Sequence, residues 1–512
     1  MDKENIQKKN LWQKFASLFD PRDLTKGKIF PVLRQFRVPI ILSRIFQQIY
    51  SLTDAVIVGK YLNANQVAAV NDTIPVVGRI TNFAIGCTAG FSVVISKATG
   101  EGDEEKARKA FVAQLFLSIV LTIVITIACY FLIDPVLSWI KIDKNSTDPA
   151  RQEIYKEGFN YIFINLVFGF FSQMLYNLIV SSLRAIGDSL FPFLFLVGGT
   201  ALNILGDFLL IVVFPLGVSG SAIATVVCQC LTAIIATIYF IVRYKQFRMQ
   251  KEDLHFNWKE IGYNLKRGLP LGRQASILSI GVIIRSSSVI PFDRMVNGGT
   301  ISGNPAQVGY GVANKLSGIR RRFQGAIGTG RLSFISQNRG AKKYDRIKEG
   351  FKVGGLRIVI TTILLVLFGY LVSINGGYLF LFLSQDKVTA DVIKFGNTYL
   401  YTILPFYFFL GGIFFGRNCI QALEKPRIPL IGGIAELITR TVVCLFLPQL
   451  VNHGPINANA SLASYISVCL ADSITWIVSC LIVRIPTVVR ISKLLKSVSN
   501  PSKARKKEPS KN

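Results

Sequence analysis

Four polar side chains sit inside long apolar runs, where a carboxyl or amide group is costly to bury. Asp54 stands in "YSLTDAVIVG", Asn203 and Asp207 in "ALNILGDFLLIV", and Thr225 in "GVSGSAIATVVCQ". Asn203 precedes Asp207 by four residues, so the two share one helix face. An acid in an apolar cavity keeps its proton more readily than in water, and can exchange it as the cavity wets and dries. Carboxylates joined by amide and hydroxyl oxygens can instead ligate a sodium ion. The chemistry on offer is binding and release of a small cation. The plain alternative is that Asp54 and Asp207 are interfacial or structurally paired.

Pro39 lies on the same apolar run as Asp54, fifteen residues earlier. Proline removes a backbone hydrogen bond and kinks a helix, so a kink below an ionisable group can turn ion uptake into bending. Glu436 precedes Arg440 by four residues in "GGIAELITRT", the spacing of a structural ion pair along one helix. No catalytic residue is expected: the two histidines, His255 and His453, read as loop residues, and there is no HExxH, P-loop or nucleophile elbow. The eight cysteines fall in or beside apolar runs without zinc-ligand spacing, and read as buried, reduced thiols. No metal and no cofactor is expected beyond H+ or Na+ as a coupling ion.

The elements that must position these residues are membrane helices. The chain is 51% hydrophobic and 17% charged, against about 25% charge in an ordinary soluble domain. Apolar stretches long enough to span a bilayer recur at about 32–58, 66–96, 110–138, 155–182, 190–214, 218–242, 268–292, 306–337, 352–374, 390–417, 427–450 and 459–487. The fold class is therefore all-α and polytopic, with twelve transmembrane helices. The N-terminus has no apolar h-region, so no cleaved signal peptide is expected. The net charge of +29 is concentrated between spans, as in "RYKQFRMQKEDLHFNWKEIGYNLKRG" and "NRGAKKYDRIKEG", whereas "VNHGPINANA" and "FPLGVSG" carry almost none. That placement marks topology rather than nucleic-acid binding, and puts both termini in the cytoplasm of a cell whose cytoplasmic membrane the chain spans several times.

The chain reads as a duplication. "ISKATGEGDEEKARKAF" (95–111) aligns without gaps on "ISQNRGAKKYDRIKEGF" (335–351), "SSLRAIGDSLFPFL" (181–194) on "NCIQALEKPRIPLI" (418–431), and "FRVPIILS" (36–43) on "RGLPLGRQ" (267–274). Each copy has an even number of spans, so both insert the same way up, as a parallel repeat around a midplane site. The expected organisation is an N-terminal cytoplasmic segment (1–28), an N-lobe with helices 1–6 (29–243), a basic cytoplasmic linker (244–267), a C-lobe with helices 7–12 (268–490) and a basic disordered tail (491–512).

"DLTKGKIFPVLRQFRVPIILSRIFQQIYSLTDAVIVGKYL", "GFSVVISKATGEGDEEKARKA", "SSLRAIGDSLFPFLFLVGGTALNILGDFLLIV", "GVSGSAIATVVCQ", "SQNRGAKKYDRIKEG" and "IPLIGGIAELITR" together resemble a multidrug and toxic compound extrusion (MATE) transporter of the bacterial branch. The likeness runs from about residue 23 to 490. It implies a secondary active antiporter of two six-helix lobes that exports drugs, toxic compounds or metabolites by alternating access, against inward flow of H+ or Na+. The implied substrate is a small molecule, an organic cation or amphiphile, and the lipid bilayer is the only other partner. On the family pattern Asp54, Asn203, Asp207 and Thr225 form the N-lobe ion site, and Pro39 is the helix-1 bending proline. Some members use C-lobe carboxylates on helices 7 and 10, and neither helix has one here, which disfavours a C-lobe ion site. The alternative is a flippase for an anionic, pyrophosphate-linked lipid precursor of the same superfamily.

One departure from the family stands out. Arg44, Arg79, Arg273, Arg285, Arg320, Arg321, Arg322, Arg331 and Arg357 occupy positions where relatives generally carry apolar residues. A mid-membrane arginine costs about 2.5–3.5 kcal/mol on the insertion scale, so the four within "GIRRRFQGAIGTGRLSFIS" oppose insertion by on the order of 10 kcal/mol. Three accounts are open. The arginines bind an anionic substrate, although three consecutive residues spread over roughly 200° of helix and cannot share one cavity. Alternatively, span 8 begins after Arg322. In the third, some of these positions are decoded as methionine in the cell, which would also explain why the chain has only four methionines.

Overall fold

The computed structural model describes residues 20–499 except 141, 255, 256, 297 and 298; His255, residues 1–19 and most of the basic tail lie outside the described residues. Among the described residues every long element is a helix, and the only β pairing is an isolated bridge between Arg294 and Thr300.

The first half contains α1 (Ile29–Tyr61), α2 (Ala64–Glu101), α3 (Glu104–Trp139), α4 (Pro149–Phe163), α5 (Phe170–Ile186), α6 (Leu190–Asp207) and α7 (Gly217–Arg243). The second contains α8 (Trp258–Ser287), α9 (Pro305–Gly340), α10 (Tyr344–Ser373), α11 (Ala390–Ile403), α12 (Tyr407–Ala422), α13 (Arg427–Asn452) and α14 (Leu462–Ser499). The fourth span is broken in each half. A π-turn at Ile164–Phe168 joins α4 to α5 with a 49° bend, and a 3-10 turn at Leu404–Phe406 joins α11 to α12. The duplication read from three short motifs thus recurs as a matching irregularity in the backbone.

Apolar side chains cover the outside of the bundle as well as its core. Phe131 of α3 is 71% exposed, Leu364 of α10 61% and Phe446 of α13 60%. Such a surface is tolerated only against lipid. Among the described residues nine helices are long and apolar enough to cross a membrane, or ten with the bent pair counted as one. The two further long helices, α1 and α9, fall short in composition, and both carry arginines along the span. The protein is a multi-pass membrane protein.

Local signals set the ends. Asn63 and Gln66 form a reciprocal capping box at the start of α2, and Gly102 ends that helix in the left-handed region that glycine adopts at no steric cost. The linker differs from expectation. α8 begins at Trp258, about ten residues before the apolar run, because Asn257 caps it and accepts from the Lys259 amide at 3.0 Å. The rest of the linker is pinned by Asp253, whose carboxylate takes Arg108 of α3 at 2.9 Å. All eight cysteines are free; six are buried, but Cys129 and Cys230 are only half-buried, which corrects the uniform burial expected.

Candidate functional site

α1, α6 and α7 bring the four candidate polar residues together. Asp207 is the last residue of α6 and fully buried; a π-turn (Phe208–Val213) follows it, an irregularity often found at functional sites. Asn203, one turn earlier, donates from Nδ2 to the Thr225 hydroxyl of α7 at 3.3 Å. Gly206 lets α7 approach closely: a Cβ there would meet Ala224 Cβ at 3.2 Å. From α1, the Asp54 carboxyl comes within hydrogen-bonding reach of Asp207. Neither Asp207 oxygen, nor the Asn203 side-chain carbonyl, accepts from a donor group among the described residues. Two carboxylates this close cannot both be charged at low cost unless a proton or a cation lies between them.

Two tyrosines complete the site and were not singled out in the sequence. The Tyr50 side chain lies beside Thr225, and Tyr161 of α4 lies beside both acids. The signal for Tyr50 was available, since it precedes Asp54 by four residues and shares its helix face. A cavity of about 150 Å³ adjoins the site, with Asn203, Thr225 and Tyr50 in its wall beside the amides of Gln47, Gln173 and Asn177. Pro39 lies inside α1, which runs through it unbroken; Ser43 donates its hydroxyl to the Pro39 carbonyl at 2.8 Å.

The second half has buried acids too, on α13 and α14 and not on helices 7 and 10. Asp472 of α14 is ion-paired with Arg285 of α8 and, at 3.3 Å, with Arg440 of α13, and it accepts from Tyr399 at 3.2 Å. Arg285 also donates to Tyr310 at 2.5 Å and Asn314 at 2.9 Å. Glu436 does not form the expected pair with Arg440. It takes Arg417 of α12 and Ser479 of α14, each at 2.7 Å, and Arg440 turns to Asp472. Contacts between helices win over the spacing along one helix, because both acids are buried and each needs a cross-helix donor.

The two halves meet asymmetrically. At the basic end of the bundle α2 and α9 touch backbone to backbone: a Cβ on Gly100 would lie 1.9 Å from the Gln337 carbonyl, and one on Gly340 2.1 Å from that of Lys97. Gln337 also donates to the Ala185 carbonyl at 2.7 Å, and Ser96 to that of Ser333 at 3.2 Å. Glu424, in the turn between α12 and α13, is the hub of this end. Its carboxylate meets Arg339 at 3.0 Å, Lys97 of the other half at 3.5 Å and Arg267 at 3.7 Å, and accepts from the Tyr263 hydroxyl at 2.5 Å. Burial works against its charge, but Tyr263 and the cations Arg339, Lys97 and Arg267 outweigh it and hold the carboxyl below its usual range. Toward the opposite end the halves part around a cavity of about 640 Å³ between Gly78 and Asn82 of α2 and Ser279, Tyr310 and Asn314 of α8 and α9.

A duplicated helical bundle with paired acids in one half and a cleft between the halves is the frame of a membrane transporter. The MatE family model matches residues 39–209 and 301–446, and the chain belongs to that family. Among curated relatives, the probable multidrug resistance protein YoeA of Bacillus subtilis (strain 168) is 29% identical over 67% of this chain and 72% of its own length. The probable multidrug resistance protein YpnP of the same organism is 26% identical over 78% of this chain and 84% of its own. Among solved structures, an outward-facing multidrug resistance MATE transporter of the MOP superfamily superposes with a TM-score of 0.78 at 21% identity, over 93% of this chain and 99% of that one. The all-helical fold and the family expected from the sequence are thus found.

Proposed function

We propose that this chain is an antiporter of the cytoplasmic membrane that exports small organic molecules, drugs among them, by alternating access coupled to inward H+ or Na+ flow. The observation that carries the reading is the Asp54–Asp207 pair, two carboxyl groups in mutual reach, with the Asp207 oxygens taking no donor among the described residues, beside Asn203 and Thr225. Such a pair binds a proton or a metal cation and releases it when the site opens to the other side. The cavity beside it has amide, hydroxyl and aromatic groups and no charged side chain in its wall, which suits an amphiphile or organic cation. The names of the two Bacillus relatives support drug export over the flippase of lipid-linked precursors.

The positive-inside rule makes the basic end, with Lys97, Arg339 and Lys425, the cytoplasmic one, so both termini are cytoplasmic and the cleft opens outward. The N- and C-lobes are the rigid bodies that rock. The Asp472 and Glu436 clusters are structural, since each acid is already held by arginine. The test is uptake of a fluorescent lipophilic cation into proteoliposomes under an imposed H+ or Na+ gradient. Wild type is expected to require one of the two gradients, and Asp54→Asn to lose that dependence. Unchanged gradient-driven transport by the variant would remove Asp54 from the mechanism.

A further inference from the structure

The bundle knows how to house an arginine. Arg285 and Arg440 share Asp472, and Arg417 has Glu436. Others end on polar groups: Arg321 donates to Ser317 and Asn314, Arg44 to Gln47, and Arg322 to Gln48. Three arginines that are buried almost completely depart from this pattern. Arg37 of α1 and Arg320 and Arg331 of α9 are 3%, 2% and 1% exposed, and none pairs with a carboxylate among the described residues. No guanidinium nitrogen of Arg37 or Arg320 makes a hydrogen bond of normal geometry. Arg320 lies 5.9 Å from the Tyr407 ring centroid, so its neighbour there is a neutral phenol and not an acid. Arg331 lies over the Phe415 ring at 4.4 Å and presses one nitrogen on the Gly354 carbonyl, leaving the other two without a partner. Being sealed inside protein, none can snorkel to a headgroup.

Space is short as well. Each of the three is seated against a glycine of a neighbouring helix. A Cβ on Gly330 would come 2.6 Å from Arg37 Cγ, one on Gly354 2.6 Å from Arg331 Nε, and one on Gly369 2.9 Å from Arg320 Nη1. None of the three lines the cavity beside Asn203 or the cleft between the halves, so they do not read as a substrate-binding set. The side chain that suits these seats is unbranched for about the length of the arginine stem, apolar, and without the planar head. That is methionine, whose side chain follows the same course and stops there. Methionine is also what the chain lacks. It has four against 37 phenylalanines, and only Met174 of the three internal ones is buried. Finally, α1 and α9, which carry these three residues, are the long helices that fall short of a membrane-spanning composition.

We infer that positions 37, 320 and 331 are translated as methionine in the native organism, one arginine codon being read there as methionine. The bundle interior then loses three guanidinium groups that no acid among the described residues pairs, and α1 and α9 become more apolar spans. The inference stands apart from the transport reading, because it concerns the side chains and not the activity. It also narrows the set of unusual arginines: Arg285 and Arg321 have partners, and Arg37, unremarked in the sequence, joins Arg320 and Arg331.

The test is peptide mass spectrometry on protein purified from native membranes, digested with chymotrypsin so that cleavage does not depend on arginine. Methionine is expected at all three positions, and arginine at Arg417 and Arg440, each of which has an acid. Any residue other than methionine at position 37, 320 or 331 overturns the inference. A second reading uses a host with the standard code, in which Arg37→Met/Arg320→Met/Arg331→Met is expected to give several-fold more folded, membrane-inserted protein than the chain as written. Equal yield of the two would overturn the physical argument.

Discussion

Glu424→Gln isolates the contact that joins the two halves at the basic end. The carboxylate is 3.5 Å from Lys97 of the other half, and the side chain is 9% exposed. The Coulomb attraction at that distance is about 5 kcal/mol for an effective dielectric of roughly 20. Lys97 is 25% exposed, so solvent screens most of it, and a net contribution of about 1–2 kcal/mol to closure remains. Losing the charge also leaves Arg267 and Arg339 without this acid, and Lys97 with only the more distant Glu101 at 3.9 Å. The variant is therefore expected to populate the state open at this end about 5–30-fold more than wild type. Hydrogen exchange on the full chain in nanodiscs reads this directly, because the amides of 97–101 and 337–341 are covered only while α2 and α9 touch. Their exchange should quicken by that factor. Identical exchange in wild type and Glu424→Gln would refute the latch. The pH dependence has a fixed sign. Glu424 is held below its usual value, so its contribution is complete above about pH 4.3 and is lost as pH falls through its lowered folded value. Wild type should stay latched from pH 5 to 8 and loosen only under stronger acid.

Other outcomes follow from the same geometry. Asp472→Asn removes the acid that Arg285 and Arg440 share, and should lower stability by about 3–5 kcal/mol, read as a fall in thermal unfolding temperature. Gly100→Ala forces a backbone shift where a Cβ would lie 1.9 Å from the Gln337 carbonyl, and should cost about 1–3 kcal/mol at the basic end, read as faster exchange at 337–341. Tyr50→Phe deletes the hydroxyl beside Thr225 and Asp54 and should slow gradient-driven transport while leaving the unfolding temperature within a few degrees of wild type.

The spans and the family were legible because membrane helices write their length and polarity into the sequence, and the duplication left three short motifs in order. Asn203 and Asp207 could be paired because they share one helix face. What lay hidden was contact between helices remote in sequence. Asp472 sits in "LADSITW" as an acid in an apolar run, the same signal that marked Asp54, but on α14 and not on helix 7 or 10, where the family pattern puts C-lobe acids. Glu436 has Arg440 at ideal helical spacing, yet Arg417 reaches it from α12. Glu424 occupies a turn with left-handed backbone (φ 59°), and nothing in "ALEKPR" shows that three cations converge on it. Arg37 drew no notice because burial decides its meaning, and only the packed bundle shows that burial.

The central claim is that substrate and ion exchange through one chain by way of Asp54 and Asp207. Its most direct measurement follows both fluxes in the same proteoliposomes, a lipophilic cation by fluorescence and H+ or Na+ by an internal indicator. Opposite, proportional fluxes in wild type that uncouple in Asp54→Asn and Asp207→Asn are the expected result. Substrate movement with no counterflow of either ion, or coupling that survives in both variants, would contradict it.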